Sequence, residues 1–318
     1  MVRYGRLAQD AGAESVWTCE IWRDGFVPLA AIAAAAPRVR LGTGVVQFAR
    51  PPVLTELAAM SMAELTGGRF VLGLGVAPKE WNESWHDLRY ASPVRRMREY
   101  IECLRGMWAS GPGRPFDYDG EYFHIRRYAR FVPPSHERIP IYLGITMPAM
   151  MRLAGSHADG VIVNTLNTPA YIRDVVHRNV REGMSAAGRS GKPFEICAIK
   201  CCAVSRDAKR ARDLARHIVA FYSTLPYFDA VLDPAGFTKE KEAIRAAMQR
   251  GDRDAMLRAV TDEMVTTLTL AGTPDDVHRQ LGAFEGCFEL PLLFCPFFGV
   301  DPAETKANHE AMIEAFAQ

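Results

Sequence analysis

Residues 40–52, RLGTGVVQFARPP, decide the fold. An apolar run that reads as a buried strand breaks into Gly42-Thr43-Gly44, resumes with Val45-Val46 and closes on Pro51-Pro52. Glycine inside a strand marks a bend or a place where another group comes close to the main chain. On either side, residues 28–36 and 53–65 carry apolar residues at helical spacing, so the stretch reads as one strand set between two helices.

The same alternation runs outward in both directions. Strands are expected at 15–20, 39–46, 69–75, 139–145, 160–164, 194–204 and 290–296. Helices are expected at 4–11, 93–108, 148–157, 170–187, 208–222, 239–249 and 254–270. Thr273-Pro274-Asp275-Asp276 has the chemistry of a helix start, with proline in the first turn, and feeds 277–284. Strands apolar on both faces, separated by helices, call for a parallel sheet covered outside and packed within. The expected fold class is therefore α/β, a TIM (β/α)8-type barrel forming one domain over residues 1–318. Two departures are expected: the first strand is missing, because 4–11 already reads as the helix that should follow it, and a helical insertion fills 208–272 before the last strand. Exposed strand edges then call for cover by another segment or a second copy, so a homodimer is expected.

Composition narrows the function. With 38 Lys+Arg against 37 Asp+Glu the net charge is +1, which offers no basic field to nucleic acid or an anionic membrane. No apolar run is long enough to span a bilayer and no signal peptide is legible, so a cytoplasmic protein acting on a small-molecule substrate is expected. The seven cysteines are scattered without CxxC spacing, which points to reduced thiols rather than a disulfide framework or a zinc site.

Barrel enzymes gather their chemistry at the carboxyl ends of the strands. Those ends read Cys19-Glu20-Ile21-Trp22, Thr43-Gly44-Val45, Gly73-Leu74-Gly75-Val76, Gly144-Ile145-Thr146, Asn164-Thr165 and Cys295-Pro296-Phe297-Phe298. They are rich in glycine, hydroxyls and aromatics and poor in His and Asp, so converging metal ligands are not expected.

Taken together, AQDAGAESVWTCE, PLAAIAAAAPRVRLGTGV, LTGGRFVLGLGV and LAGSHADGVIVN resemble the luciferase-like monooxygenase superfamily, in its order and at its spacing. WHDLRYASPVRRMREYIECLRGMW followed by FDYDGEYFHI is similar to its branch that uses the deazaflavin coenzyme F420. The resemblance implies an oxidoreductase that moves a hydride between F420 and a small organic substrate, with an FMN-dependent monooxygenase, or a degenerate barrel that binds without turnover, as alternatives. It implies a non-prolyl cis peptide at Gly44-Val45, supporting one face of the cofactor ring, with Thr43, Gly75 and Trp22 around it. Gly144-Ile145-Thr146, just before a helix starting at Pro148, resembles the phosphate-binding turn, and Asn164 and Thr165 match the neighbouring strand end. Glu20 matches an acidic position near the polar end of the cofactor pocket, which implies a catalytic residue able to hydrogen-bond ring or tail. Relatives place a histidine directly after that acid; this chain has Ile21, which leaves His86 as the imidazole suited to acid-base work. Lys200, a lone lysine inside an expected strand, raises the further alternative of Schiff-base chemistry.

Overall fold

The computed structural model describes residues 1–132 and 138–317. The chain divides into two compact units, one built from Met1–Ile145, Ala149–Ile162 and Asn179–Phe194, the other from Thr146–Pro148, Val163–Arg178 and Glu195–Gln318.

The first unit runs α1 (Val2–Asp10), β1 (Ser15–Thr18), α2 (Val27–Ala35), β2 (Arg40–Thr43), β3 (Val46–Gln47), α3 (Pro52–Thr66), β4 (Phe70–Gly75), α4 (Lys79–Trp85) and α5 (Pro93–Trp108). A hairpin, β5 (Phe116–Asp119) and β6 (His124–Tyr128), precedes β7 (Ile141–Ile145) and β8 (Gly160–Val163). β1, β2, β4 and β7 pair side by side and parallel, with Thr18 opposite Thr43, Leu41 opposite Phe70 and Leu74 opposite Leu143. Every residue of β4 is buried, as a strand covered on both faces requires.

The strand expected at 39–46 is two strands. β2 ends at Thr43 and β3 starts at Val46, and between them the Gly44-Val45 peptide bond is cis. Gly44 N–H donates to the Thr18 carbonyl at 2.6 Å, whereas the Val45 carbonyl accepts from Glu20 N–H at 3.1 Å. The break is therefore a bulge pinned to the end of β1, and β3 then pairs with β4 through Val46–Leu74 and Gln47–Gly75.

In the second unit, β9 (Glu195–Val204) carries two parallel partners: β10 (Leu270–Gly272) along Cys202–Val204 and β11 (Leu290–Phe294) along Cys197–Cys201. Cys202, Val204, Leu270, Val277, Cys295 and Met312 pack into one apolar cluster there. The helix expected at 254–270 is broken. Arg253–Ala259 ends, Thr261 accepts a hydrogen bond from Met264 N–H as a new cap, Asp262–Leu268 follows, and the chain turns extended into β10. The helical run expected to reach 272 thus stops at Leu268, because Leu270 and Ala271 are completely buried beside β9. The start expected at 273–276 is present as a capping box between Thr273 and Asp276.

Candidate cofactor site

Four strand ends of the first unit meet at Val45. Thr43, fully buried, locks β2 to β4: its hydroxyl donates to the Gly73 carbonyl and accepts from Gly73 N–H, both at 2.9 Å. That reciprocal pair holds the chain immediately before the cis bond. Beyond the bond, the Val45 side chain is received by glycines. A Cβ on Gly75 would overlap Val45 Cγ2 and stand 3.3 Å from its Cβ, and a Cβ on Gly144 would stand 3.0 Å from Cγ1. The ends of β4 and β7 are therefore bare because a branched side chain already fills the space a methyl would need.

Gly44 differs. A Cβ there would meet nothing closer than Trp17, at 3.7 Å, so ordinary packing does not demand glycine at this position. Its main chain is partly exposed while Thr43 and Val46 on either side are buried. Glycine at an uncrowded, partly exposed point of a pinned bulge presents bare backbone to whatever lies against it.

Glu20 supports the bulge from behind. Its Oε2 accepts from Gln47 N–H at 3.0 Å, its carbonyl accepts from Gln47 Nε2 at 2.6 Å, and Arg50 donates to Oε1 at 3.3 Å and to Asp24 at 3.0 Å. Both carboxylate oxygens are thus in use. Arg50 is an ion-paired brace, its carbonyl accepting from the Tyr100 hydroxyl at 2.8 Å. Burial raises the Tyr100 pKa and keeps that hydroxyl a neutral donor. Gln47 Oε1 is buried with no hydrogen-bond partner among the described residues.

Trp22 lies two residues past Glu20 with 62% of its surface exposed, its ring 6.2 Å from Trp81, which stacks on Trp85 at 4.7 Å. The segment carrying Trp81 is tied to the end of β4 by Asn82, whose amide donates to the carbonyls of Val76 at 2.8 Å and Pro78 at 2.9 Å. His86 ends α4 and is exposed.

The second unit holds a separate polar turn after β8. Asn167, fully buried, donates to the carbonyls of Asn164 at 2.8 Å and Ile199 at 3.1 Å. Lys200, also fully buried, donates to Asn167 O at 3.1 Å, Asn167 Oδ1 at 3.3 Å and Leu268 O at 3.2 Å, with its ammonium 4.0 Å from the centre of the Phe284 ring. Three acceptors and an aromatic face match an ammonium's three donors, while burial pushes its pKa down to about 7. The turn so braced carries Thr165, whose backbone N–H is taken by Asn164 Oδ1 and whose buried hydroxyl has no partner among the described residues. Thr146 belongs to this unit too, its carbonyl accepting from the Tyr171 hydroxyl at 2.9 Å.

The geometry therefore brings Glu20, Thr43, Gly44, Val45, Gly75 and Gly144 into one constellation within the first unit, with Ile145 buried at the end of β7. An open-backed bulge fits a flat ring laid on main chain, and a buried, unpartnered Thr165 hydroxyl fits a polar ligand atom. Gln47 and Asn82 escape a reading of the sequence alone, although polar residues flanking strand ends are the signal that finds them. Among the described residues no three His, Cys, Asp or Glu gather as metal ligands, and no helix is long and apolar enough to cross a membrane.

The family profile of the luciferase-like monooxygenases matches residues 1–287. A 5,10-methylenetetrahydromethanopterin reductase of Archaeoglobus fulgidus is 32% identical over 288 residues, which is 87% of this chain and 83% of that protein. A putative coenzyme F420-dependent oxidoreductase of Mycobacterium tuberculosis is 30% identical over 297 residues, covering 87% of this chain and 85% of its own. Among solved structures, the coenzyme F420-dependent tetrahydromethanopterin reductase from Methanopyrus kandleri superposes with a TM-score of 0.84 at 24% identity, over 100% of this chain and 93% of that one. This last likeness shows the fold, which is α/β and of the barrel type expected from the sequence. The chain belongs to the luciferase-like monooxygenase family.

Proposed function

We propose that this protein is an oxidoreductase that moves a hydride between coenzyme F420 and a small organic substrate. The observation that carries the reading is the bulge at Gly44-Val45, pinned by Thr18, Glu20 and Thr43 and left open at Gly44. The F420 dependence of the Mycobacterium tuberculosis and Methanopyrus kandleri relatives supports it. The bound deazaflavin supplies two-electron hydride chemistry.

The chain's own residues bind, orient and exclude water. Gly44 and Val45 give the ring a flat main-chain floor, and Gly75 and Gly144 seat the valine that keeps that floor level. Glu20, with both oxygens engaged by Gln47 and Arg50, holds the bulge beside the ring. Trp22 walls the ring. Gly144 and Ile145 in the first unit, and by themselves Thr146, Asn164 and Thr165 in the second, are candidates to receive the cofactor's phosphate, and His86 is the imidazole offered for acid-base work. The protein acts in the cytoplasm as a homodimer; light scattering tests the second point, a mass of one chain counting against it.

Titration of the purified protein with F420 and with FMN, followed by absorbance and tryptophan fluorescence, tests the function. Saturable micromolar or tighter F420 binding is expected. Preference for FMN turns the reading to a flavin monooxygenase, and binding of neither overturns it.

A further inference from the structure

Among the described residues Arg96 makes no ion pair. It lies one turn into α5, partly buried, with its guanidinium carbon 5.2 Å from the centre of the Phe48 ring, 5.5 Å from Tyr122 and 5.3 Å from Phe123. Its Nε is buried with no hydrogen-bond partner, and among the described residues no carboxylate lies within ion-pair distance.

The nearest acid along its helix is already committed. Glu99 accepts from the backbone of Glu121 at 3.1 Å and Tyr122 at 2.8 Å and pairs with Arg95 at 3.5 Å, while Arg95 also pairs with Glu121. The first turn of α5 carries no acidic residue. Three aromatic rings surround the guanidinium, yet none offers a hydrogen-bond acceptor of full charge.

An arginine held among aromatic rings with no ion-pair partner among the described residues, and with the committed Glu99 the only carboxylate acting on it from a distance, is prepared for an anion from outside. Its place supports this. Phe48 directly follows β3, and its N–H donates to the Gly75 carbonyl at 3.0 Å, so the ring that holds Arg96 hangs on the same strand ends that seat Val45. The cofactor's phosphate already has the turns at 144–146 and 164–165 in the proposed function, on which this inference rests, and that leaves Arg96 to the other ligand.

We propose that Arg96 recognises a carboxylate or phosphate on the organic substrate, which makes the substrate class anionic small molecules.

The test is calorimetric titration of the F420-loaded protein with trans-cinnamate and with cinnamyl alcohol, a neutral molecule of the same shape. The wild type is expected to prefer cinnamate at least tenfold, with the preference falling as salt is raised. Arg96→Gln is expected to lose that preference, and Arg96→Lys, which keeps the charge without the planar fork, to retain part of it. Equal binding of the two probes by wild type, or an Arg96→Gln protein that keeps the preference, overturns the proposal. Parallel titration with F420 and with its tail-free deazaflavin nucleoside separates the sources of the anion. If Arg96→Gln weakens F420 tenfold and spares the nucleoside, the anion is the cofactor's tail and the substrate assignment falls. Should wild type bind no F420, the proposed function fails, and the cinnamate preference of the cofactor-free protein still decides the role of Arg96. Thermal melts of both variants establish that each is folded.

Discussion

Gly75→Ala carries the heaviest consequence for the bulge. The new methyl would overlap Val45 Cγ2, and turning the valine away brings its other methyl toward Gly144, where space is also short. A β-branched side chain has few rotamers in which to hide. Overpacking a closed site of this kind costs about 1–3 kcal/mol. Removing both Val45 methyls should recover most of that, so Val45→Ala/Gly75→Ala is expected to be more stable than the sum of the single changes by about 1 kcal/mol or more. Urea unfolding followed by far-ultraviolet circular dichroism reads all four corners of the cycle, with midpoints compared at constant slope. Gly75→Ala is also expected to weaken F420 at least tenfold, because the floor tilts. A single variant as stable as wild type, or a cycle that is simply additive, would refute the claim that Val45 is what keeps Gly75 bare.

Two further outcomes follow from the second unit. Lys200 has a folded-state pKa of about 7, below its ordinary 10.5, so folding favours the neutral amine. Its contribution is present in full above about pH 10.5 and is lost as pH falls toward 7, which over that window amounts to several kcal/mol. Chemical denaturation of the wild type is expected to show stability rising between pH 7 and 10, and Lys200→Met should flatten that rise; an unchanged slope would show that the buried amine is not the group responsible. Thr165→Val removes a hydroxyl that bonds nothing among the described residues, so stability should hold or rise by up to about 1 kcal/mol while F420 affinity falls severalfold. A destabilised variant with unaltered affinity would place that hydroxyl in the fold rather than the site.

Much of this site is written locally. The bulge is legible because Gly42, Gly44 and two valines sit within five residues, and the strand ends around it share the same glycine-rich grammar. The helix start at Thr273 is legible for the same reason, since a capping box spans four residues. What escapes a linear reading is assembled from distant segments. Glu20 looks like a chemical group until Gln47 and Arg50 take its oxygens. Lys200 looks like a reactive amine until Asn167 and Leu268 enclose it. Arg96 had a faint signal. It shares a helical stripe with buried Tyr100, Cys103 and Met107, and an arginine on an inward stripe asks what it faces. The answer needed Phe48, about fifty residues earlier in the chain, and the adjacent Tyr122 and Phe123 in the turn of the β5–β6 hairpin.

A crystal structure of the protein soaked with F420 tests the central claim most directly. The deazaflavin ring should lie in van der Waals contact with the main chain of Gly44 and Val45, its plane along the bulge. A ring bound elsewhere, or a Gly44-Val45 surface covered by the protein's own side chains when F420 is present, would contradict it.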